Sequence, residues 1–196
     1  NLIITSTIFI LIFSINSLSK TGCLNYFFEF SCLSKDKYNW VIDYDSVEHI
    51  SKYMQDTMQK LRFAPFPVVA APFGFVLGGG YEVVGACDSI VAASESYIGL
   101  VEVGMGIIPG AGGNLRMISR LTKKINTMVP GAFPIVQKAF ETIGYAKVSF
   151  SGKQAQAYGY LQKDDIIVNN RDHLLHTAKK IALDTPKGSQ PNLMAG

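Results

Sequence analysis

"PVVAAPFGFVLGGGYEVVGACDSIVAAS", residues 67–94, decides the reading of this chain. It opens and closes on short apolar runs, "PVVAA" and "SIVAAS", too brief for helices and of the composition of buried strands. Between them three glycines, Gly78, Gly79 and Gly80, run into Tyr81, Glu82 and a further apolar segment. Each glycine costs backbone entropy, so three in succession before a helix-like run need a reason. The order strand, glycine turn, short helix, strand predicts an α/β crossover with the glycines at its tip. A helix N-terminus presents unsatisfied N–H groups and a partial positive charge, and bare glycine lets a ligand atom approach them. The tip is therefore a predicted anion site.

The neighbouring residues narrow the kind of anion. A dinucleotide fingerprint would need G-x-G-x-x-G after the first strand of a βαβ unit, and a phosphate loop would need a lysine after its last glycine; Tyr81 and Glu82 stand there instead. A carboxylate beside an anion hole is wrong for phosphate. It suits acid–base work on a carbonyl whose oxygen carries the negative charge. NAD is accordingly not expected to bind this chain.

Upstream, Asp45 and Glu48 with Val47, Ile50, Met54, Met58 and Leu61 describe an amphipathic helix with an acidic start, stopped by Pro65 and Pro67. Downstream, helices are predicted around Leu115–Leu121, Ile135–Tyr145, Gly152–Tyr158 and Asp172–Leu183. The last is stopped by Pro186 and capped by Asn170 and Asp172.

With 196 residues, 48% hydrophobic and 17% charged, the chain suits one globular domain rather than disorder. Its net charge of +3 is scattered without a basic block, which argues against a nucleic-acid partner. Cys23, Cys32 and Cys87 are odd in number and lack CxxC spacing, so neither a disulfide framework nor a metal site is expected, and a reducing, cytoplasmic compartment fits. Residues 1–38 follow no sustained periodicity and are left unassigned. The apolar run 2–13 lacks an initiator Met and a preceding basic residue and is too short to span a bilayer as a helix. It is read as a buried strand or mistranslated upstream sequence, not a secretion signal or membrane anchor. The expected organisation is a domain over 39–185 and a flexible tail over 186–196.

Residues 65–113, "PFPVVAAPFGFVLGGGYEVVGACDSIVAASESYIGLVEVGMGIIPGAGG", resemble the signature of the crotonase superfamily in its enoyl-CoA hydratase branch. Residues 136–174 are more narrowly similar to the hydratase-like module of bifunctional fatty-acid oxidation proteins known as 3-hydroxyacyl-CoA dehydrogenases. The resemblance spans 39 to about 185. It implies a crotonase-like (ClpP/crotonase) ββα spiral of the α/β class and hydration of trans-2-enoyl-CoA in β-oxidation. No cofactor is implied beyond the coenzyme A thioester of the substrate itself. Homo-oligomers, or association with a dehydrogenase domain, are implied as partners. Position by position, it makes the Gly79 N–H an oxyanion donor shaped by Gly78 and Gly80, and makes Glu82 and Glu102 the two catalytic glutamates. These would hold a water that adds to the β-carbon while the α-carbon takes a proton.

Each residue also has a plainer reading. Glu82 suits the positive end of its own helix, Glu102 suits an exposed loop, and Pro109, Gly110, Gly112 and Gly113 suit turn punctuation. Cys87 and Asp88 read as a buried small residue and a helix-end acid, and His49, His173 and His176 as structural or solvated.

The chain departs from the family upstream. Crotonases carry a second oxyanion donor in a stretch of the type F-S-x-G-x-D/N-L, and the nearest imitations, "FSINSL" at 13–18 and "FSCLS" at 30–34, have no glycine. Loss of one such donor costs about 10² to 10³ in turnover. The sheet is expected to be incomplete at its N-terminal strands, as in the downstream part of a broken gene. The alternative function is then a catalytically impaired remnant that binds acyl-CoA or a partner.

Overall fold

The computed structural model describes residues 2–5, 8–13, 33–35, 40–42, 44–125 and 133–185; Pro186 and the predicted tail lie outside them. Strands β1 (Leu2–Thr5), β2 (Ile8–Phe13), β5 (Val68–Pro72), β7 (Ser89–Ala93) and β9 (Ile166–Val168) form one sheet in the order β1-β2-β5-β7-β9. All neighbours are parallel except β1 and β2. The two apolar runs flanking the glycines are thus adjacent parallel strands, as the crossover requires. Residues left unassigned in the sequence join this sheet, with β2 beside β5 in the register Phe9 to Val68 through Phe13 to Pro72. A hairpin-like pair, β3 (Leu33–Lys35) and β4 (Trp40–Ile42), precedes helix α1 (Tyr44–Arg62).

The strand period places Val68, Ala70, Ile90 and Ala92 on one face, packed with Val84, Met117 and Leu121 of α2 (Gly79–Ala86) and α3 (Gly113–Ile125). Val69, Ala71, Val91 and Ala93 face the other way, against Leu174, Ala178 and Ala182 of α6 (Leu174–Asp184). Both faces are covered, which is why these strands read as unbroken apolar runs rather than alternating ones. Helices α4 (Phe133–Gly144) and α5 (Gly152–Tyr158) complete the set.

Two short strands escape the sequence reading. β6 (Gly74–Leu77) and β8 (Ser96–Gly99) form a separate parallel pair, Gly74 opposite Ser96 and Leu77 opposite Gly99. Four residues each, with Phe75 and Tyr97 exposed, they are too short for alternation to register. The predicted caps of the last helix also need correction. The Asn170 side chain accepts from the Asp172 amide at 3.0 Å and caps a 3₁₀ turn, Arg171–His173, while α6 starts at Leu174 with no side-chain cap. One tight turn inserted before the helix displaces both residues from its N-terminus.

A buried ion pair ties the layers together. Arg120, on α3, meets Asp165 at 3.0 Å and also donates to the carbonyls of Tyr160 and Gly85 at 3.3 and 3.4 Å. Asp165 in turn accepts from the amides of Ile90 at 3.2 Å and Gln162 at 2.7 Å. Burial pushes the Asp165 carboxyl up, and Arg120 and these amides oppose it. Asp165→Ala would leave a buried guanidinium without its counter-charge. A loss of about 3–5 kcal/mol is expected, read by urea unfolding.

Candidate active site

The β6–β8 pair positions the site. Because Leu77 lies opposite Gly99, the residues following each strand, Gly78 and the segment to Glu102, emerge side by side. The Gly78 amide donates to the Gly99 carbonyl at 2.8 Å, and Gly78 holds φ at 56°, a conformation that glycine adopts without strain. A Cβ on Gly78 would lie 3.5 Å from Glu102 Oε1, so the glycine tip and the second glutamate adjoin.

Gly78 is the N-cap of α2, and Gly79 and Gly80 open the helix. Both are half-buried, and no described residue accepts from their amides. These are the free donors expected at the tip.

Glu82 lies one turn into α2 and is only 3% exposed. Its Oε1 accepts from Ala111 N at 2.9 Å and Gly113 N at 2.8 Å, at the start of α3. Burial pushes this carboxyl up, and the amides of Gly113, Ala111 and Gly112 hold it back. Pro109 to Gly113 is therefore more than turn punctuation, since it carries the donors that seat Glu82. The proline and glycine pattern signalled a turn. It gave no sign of which side chain the amides would face.

Glu102 opens a 3₁₀ turn, Glu102–Met105, directly after β8. It is not the exposed loop acid of the plainer reading, being 8% exposed, and neither carboxyl oxygen has a hydrogen-bond partner among the described residues. Burial pushes its pKa up to about 7; its own amide and that of Val101 oppose the rise, and the charge of Glu82 adds to it. Two carboxyl groups thus stand within electrostatic reach, one seated on amides and one unpartnered. Burial raises both carboxyls, and the three amides at Glu82 restrain its rise.

The other residues singled out lie apart from this cluster. The Cys87 thiol donates to the Val83 carbonyl at 3.4 Å and is pushed up to about 12 by burial, which leaves it inert as a nucleophile. Asp88 Oδ2 accepts from Val68 N at 2.8 Å, fastening the end of α2 to β5. His49, His173 and His176 are exposed. Cavities of about 370 and 500 Å³ flank Arg120 and Lys123, and neither is lined by Glu82 or Glu102. Of the two candidate stretches for the missing oxyanion loop, only Phe13, at the end of β2, and Leu33 and Ser34, in β3, are among the described residues. No helix among the described residues is long and apolar enough to cross a membrane.

Comparison with known proteins supplies the family. The chain is 45% identical over 138 residues to the Bacillus subtilis (strain 168) protein named "Probable 3-hydroxyacyl-CoA dehydrogenase", covering 69% of this chain. It is 35% identical over 150 residues to the "Peroxisomal fatty acid beta-oxidation multifunctional protein AIM1" of Arabidopsis thaliana, covering 76% of it. It spans 17% of the length of either relative. A crystal structure of enoyl-CoA hydratase from Thermoplasma volcanium GSS1 superposes with a TM-score of 0.63 at 19% identity, over 94% of this chain and 77% of that one. That likeness bears out the crotonase-like α/β fold. Residues 36–136, more than half of the chain, match the family model described as Enoyl-CoA hydratase/isomerase, and the chain belongs to that family.

Proposed function

We propose that this chain is a hydratase module that adds water across the double bond of a trans-2-enoyl-CoA. One observation carries the reading: a buried, unpartnered carboxyl, Glu102, adjoins the glycine tip of α2 and feels the charge of a second carboxyl, Glu82. The thioester oxygen would accept from Gly79 N–H at the helix N-terminus, where negative charge develops as the enolate forms. Gly78 and Gly80 keep that approach clear. Glu102, raised to about 7, supplies the proton that forms the new C–H bond at the α-carbon. Glu82 takes a proton from the attacking water, whose oxygen bonds to the β-carbon. Passage of that proton from Glu82 to Glu102 resets the site, so each turnover consumes one water and leaves the residues unchanged.

The addition is redox-neutral, and this reading calls for no cofactor and no nicotinamide. The substrate is an acyl-CoA, as the family implies. The names of the two relatives support fatty-acid oxidation as the setting and a dehydrogenase domain as a partner. The odd cysteine count supports the cytoplasm. The test is loss of the conjugated enoyl-thioester absorbance when the purified chain meets short and long trans-2-enoyl-CoA. Hydration with saturation kinetics is the expected result; a cooperatively folded sample that hydrates neither substrate refutes the reading and favours the remnant.

A further inference from the structure

Tyr160 has been given no role at the site, yet it touches the framework of both glutamates. Gly159, at φ 95°, ends α5 and turns the chain inward, and Tyr160 follows with its side chain fully buried. Its hydroxyl donates to the Lys147 carbonyl at 2.7 Å and accepts from the Leu100 amide at 3.2 Å. Its own carbonyl accepts from the Tyr81 hydroxyl at 2.9 Å, and the two rings meet edge to face with centroids 5.0 Å apart. Leu100 precedes Glu102 by two residues and Tyr81 adjoins Glu82. β8 ends at Gly99, so the Leu100 amide has left the strand ladder and is buried; the phenol is the acceptor it finds.

We infer that Tyr160 is the positioning residue that fixes Glu102 relative to Glu82, its hydroxyl anchoring the Leu100–Glu102 backbone and its carbonyl anchoring Tyr81. The bonds to the Leu100 amide and the Tyr81 hydroxyl lie in the interior, and the phenol stays protonated, its pKa raised by burial. The Glu102 carboxyl meets no hydrogen-bond partner from another element among the described residues, and the amides that act on it are its own and that of Val101, so the backbone that carries it sets its orientation. The kinetic consequence rests on the hydratase reading, and the electrostatic one does not. The titratable groups facing Glu102 are Glu82 from α2 and the Tyr160 phenol itself.

The test follows the Glu102 carboxyl by ¹³C NMR across pH in the wild type and in Tyr160→Phe, alongside hydration kinetics. Freed of its anchor, the Glu102 segment admits water, and its pKa is expected to fall from about 7 toward the ordinary carboxylate range. kcat is expected to fall about 10²-fold with KM little changed, the cost of a misplaced reacting group. Tyr158→Phe removes a neighbouring hydroxyl that, among the described residues, accepts from Gln154, and it should alter neither. A wild-type Glu102 titration in Tyr160→Phe overturns the inference, whatever the melting temperature does. A shifted Glu102 in a protein whose wild type hydrates nothing keeps the positioning role and discards the hydratase reading. If Tyr160→Phe does not fold, 3-fluorotyrosine at position 160 takes its place. The Leu100 amide shift and the Glu102 pKa should then move together, and constancy of both overturns the inference.

Discussion

Glu102→Gln is expected to cut the hydration of a trans-2-enoyl thioester by about 10² to 10⁴, the usual worth of a positioned general acid. The substitution is nearly isosteric and removes only the transferable proton. Glu102 has no hydrogen bond to lose among the described residues, so the fold should not suffer. In the wild type the same proton should shape the pH profile, with the rate falling as pH rises through about 7 and the acid form is depleted.

In Glu102→Gln, stability should move in the opposite sense to activity. The folded carboxyl holds its proton up to about 7, whereas its ordinary value is 4.5. Between those values the native state binds more protons than the unfolded chain, so this group makes stability fall as pH rises through the window. Below it both states are protonated, and the contribution is complete. Glutamine does not titrate, so the variant escapes the loss and should exceed the wild type above pH 7. Allowing for relaxation and water entry around the ionised carboxylate, the gain is about 1–2 kcal/mol. Calorimetry at pH 8 should find it as roughly 2 to 8 °C in Tm. Lower activity with higher stability from one substitution marks a group held in a costly state for function.

How far the sequence could carry this site depends on what each feature needs in order to be seen. The strands at 68–72 and 89–93 and the glycine tip were legible because doubly buried strands are apolar throughout and a glycine run interrupts them. β6 and β8 were not, although they bring Gly78 to Glu102, because four residues give no period. The roles of the Ala111 and Gly113 amides could not be read at all, since a backbone N–H has the same sequence signature wherever it points. Tyr160 was silent for a related reason. A tyrosine after a glycine reads as a core residue, and only the fold reveals that its hydroxyl meets an amide left over where β8 stops. β2 presented a clear apolar run, but no local pattern tied it to β5. Such pairing is a long-range choice that one strand does not encode alone.

Glu82→Gln separates the two readings of the first glutamate. If Glu82 only seats the start of α3, glutamine should serve almost as well, because its carbonyl oxygen can accept from both Ala111 N and Gly113 N. If Glu82 also takes a proton from water, glutamine keeps the seat and loses the base. Hydration should then fall about 10² to 10⁴ with little change in unfolding free energy. Glu82→Ala supplies the contrast. It leaves those amides without their acceptor in the interior, a penalty of about 1–3 kcal/mol for each. Activity lost in both variants, with stability lost only in alanine, assigns Glu82 both tasks. Activity retained in glutamine would reduce it to a cap, and water activation would have to come from elsewhere in the site. The capping bonds also favour the ionised form of Glu82, since the amides of Gly113, Ala111 and Gly112 work against the burial that raises it. One set of backbone donors thus closes the start of α3 and favours the charged form of Glu82, the form that the proposed water activation requires.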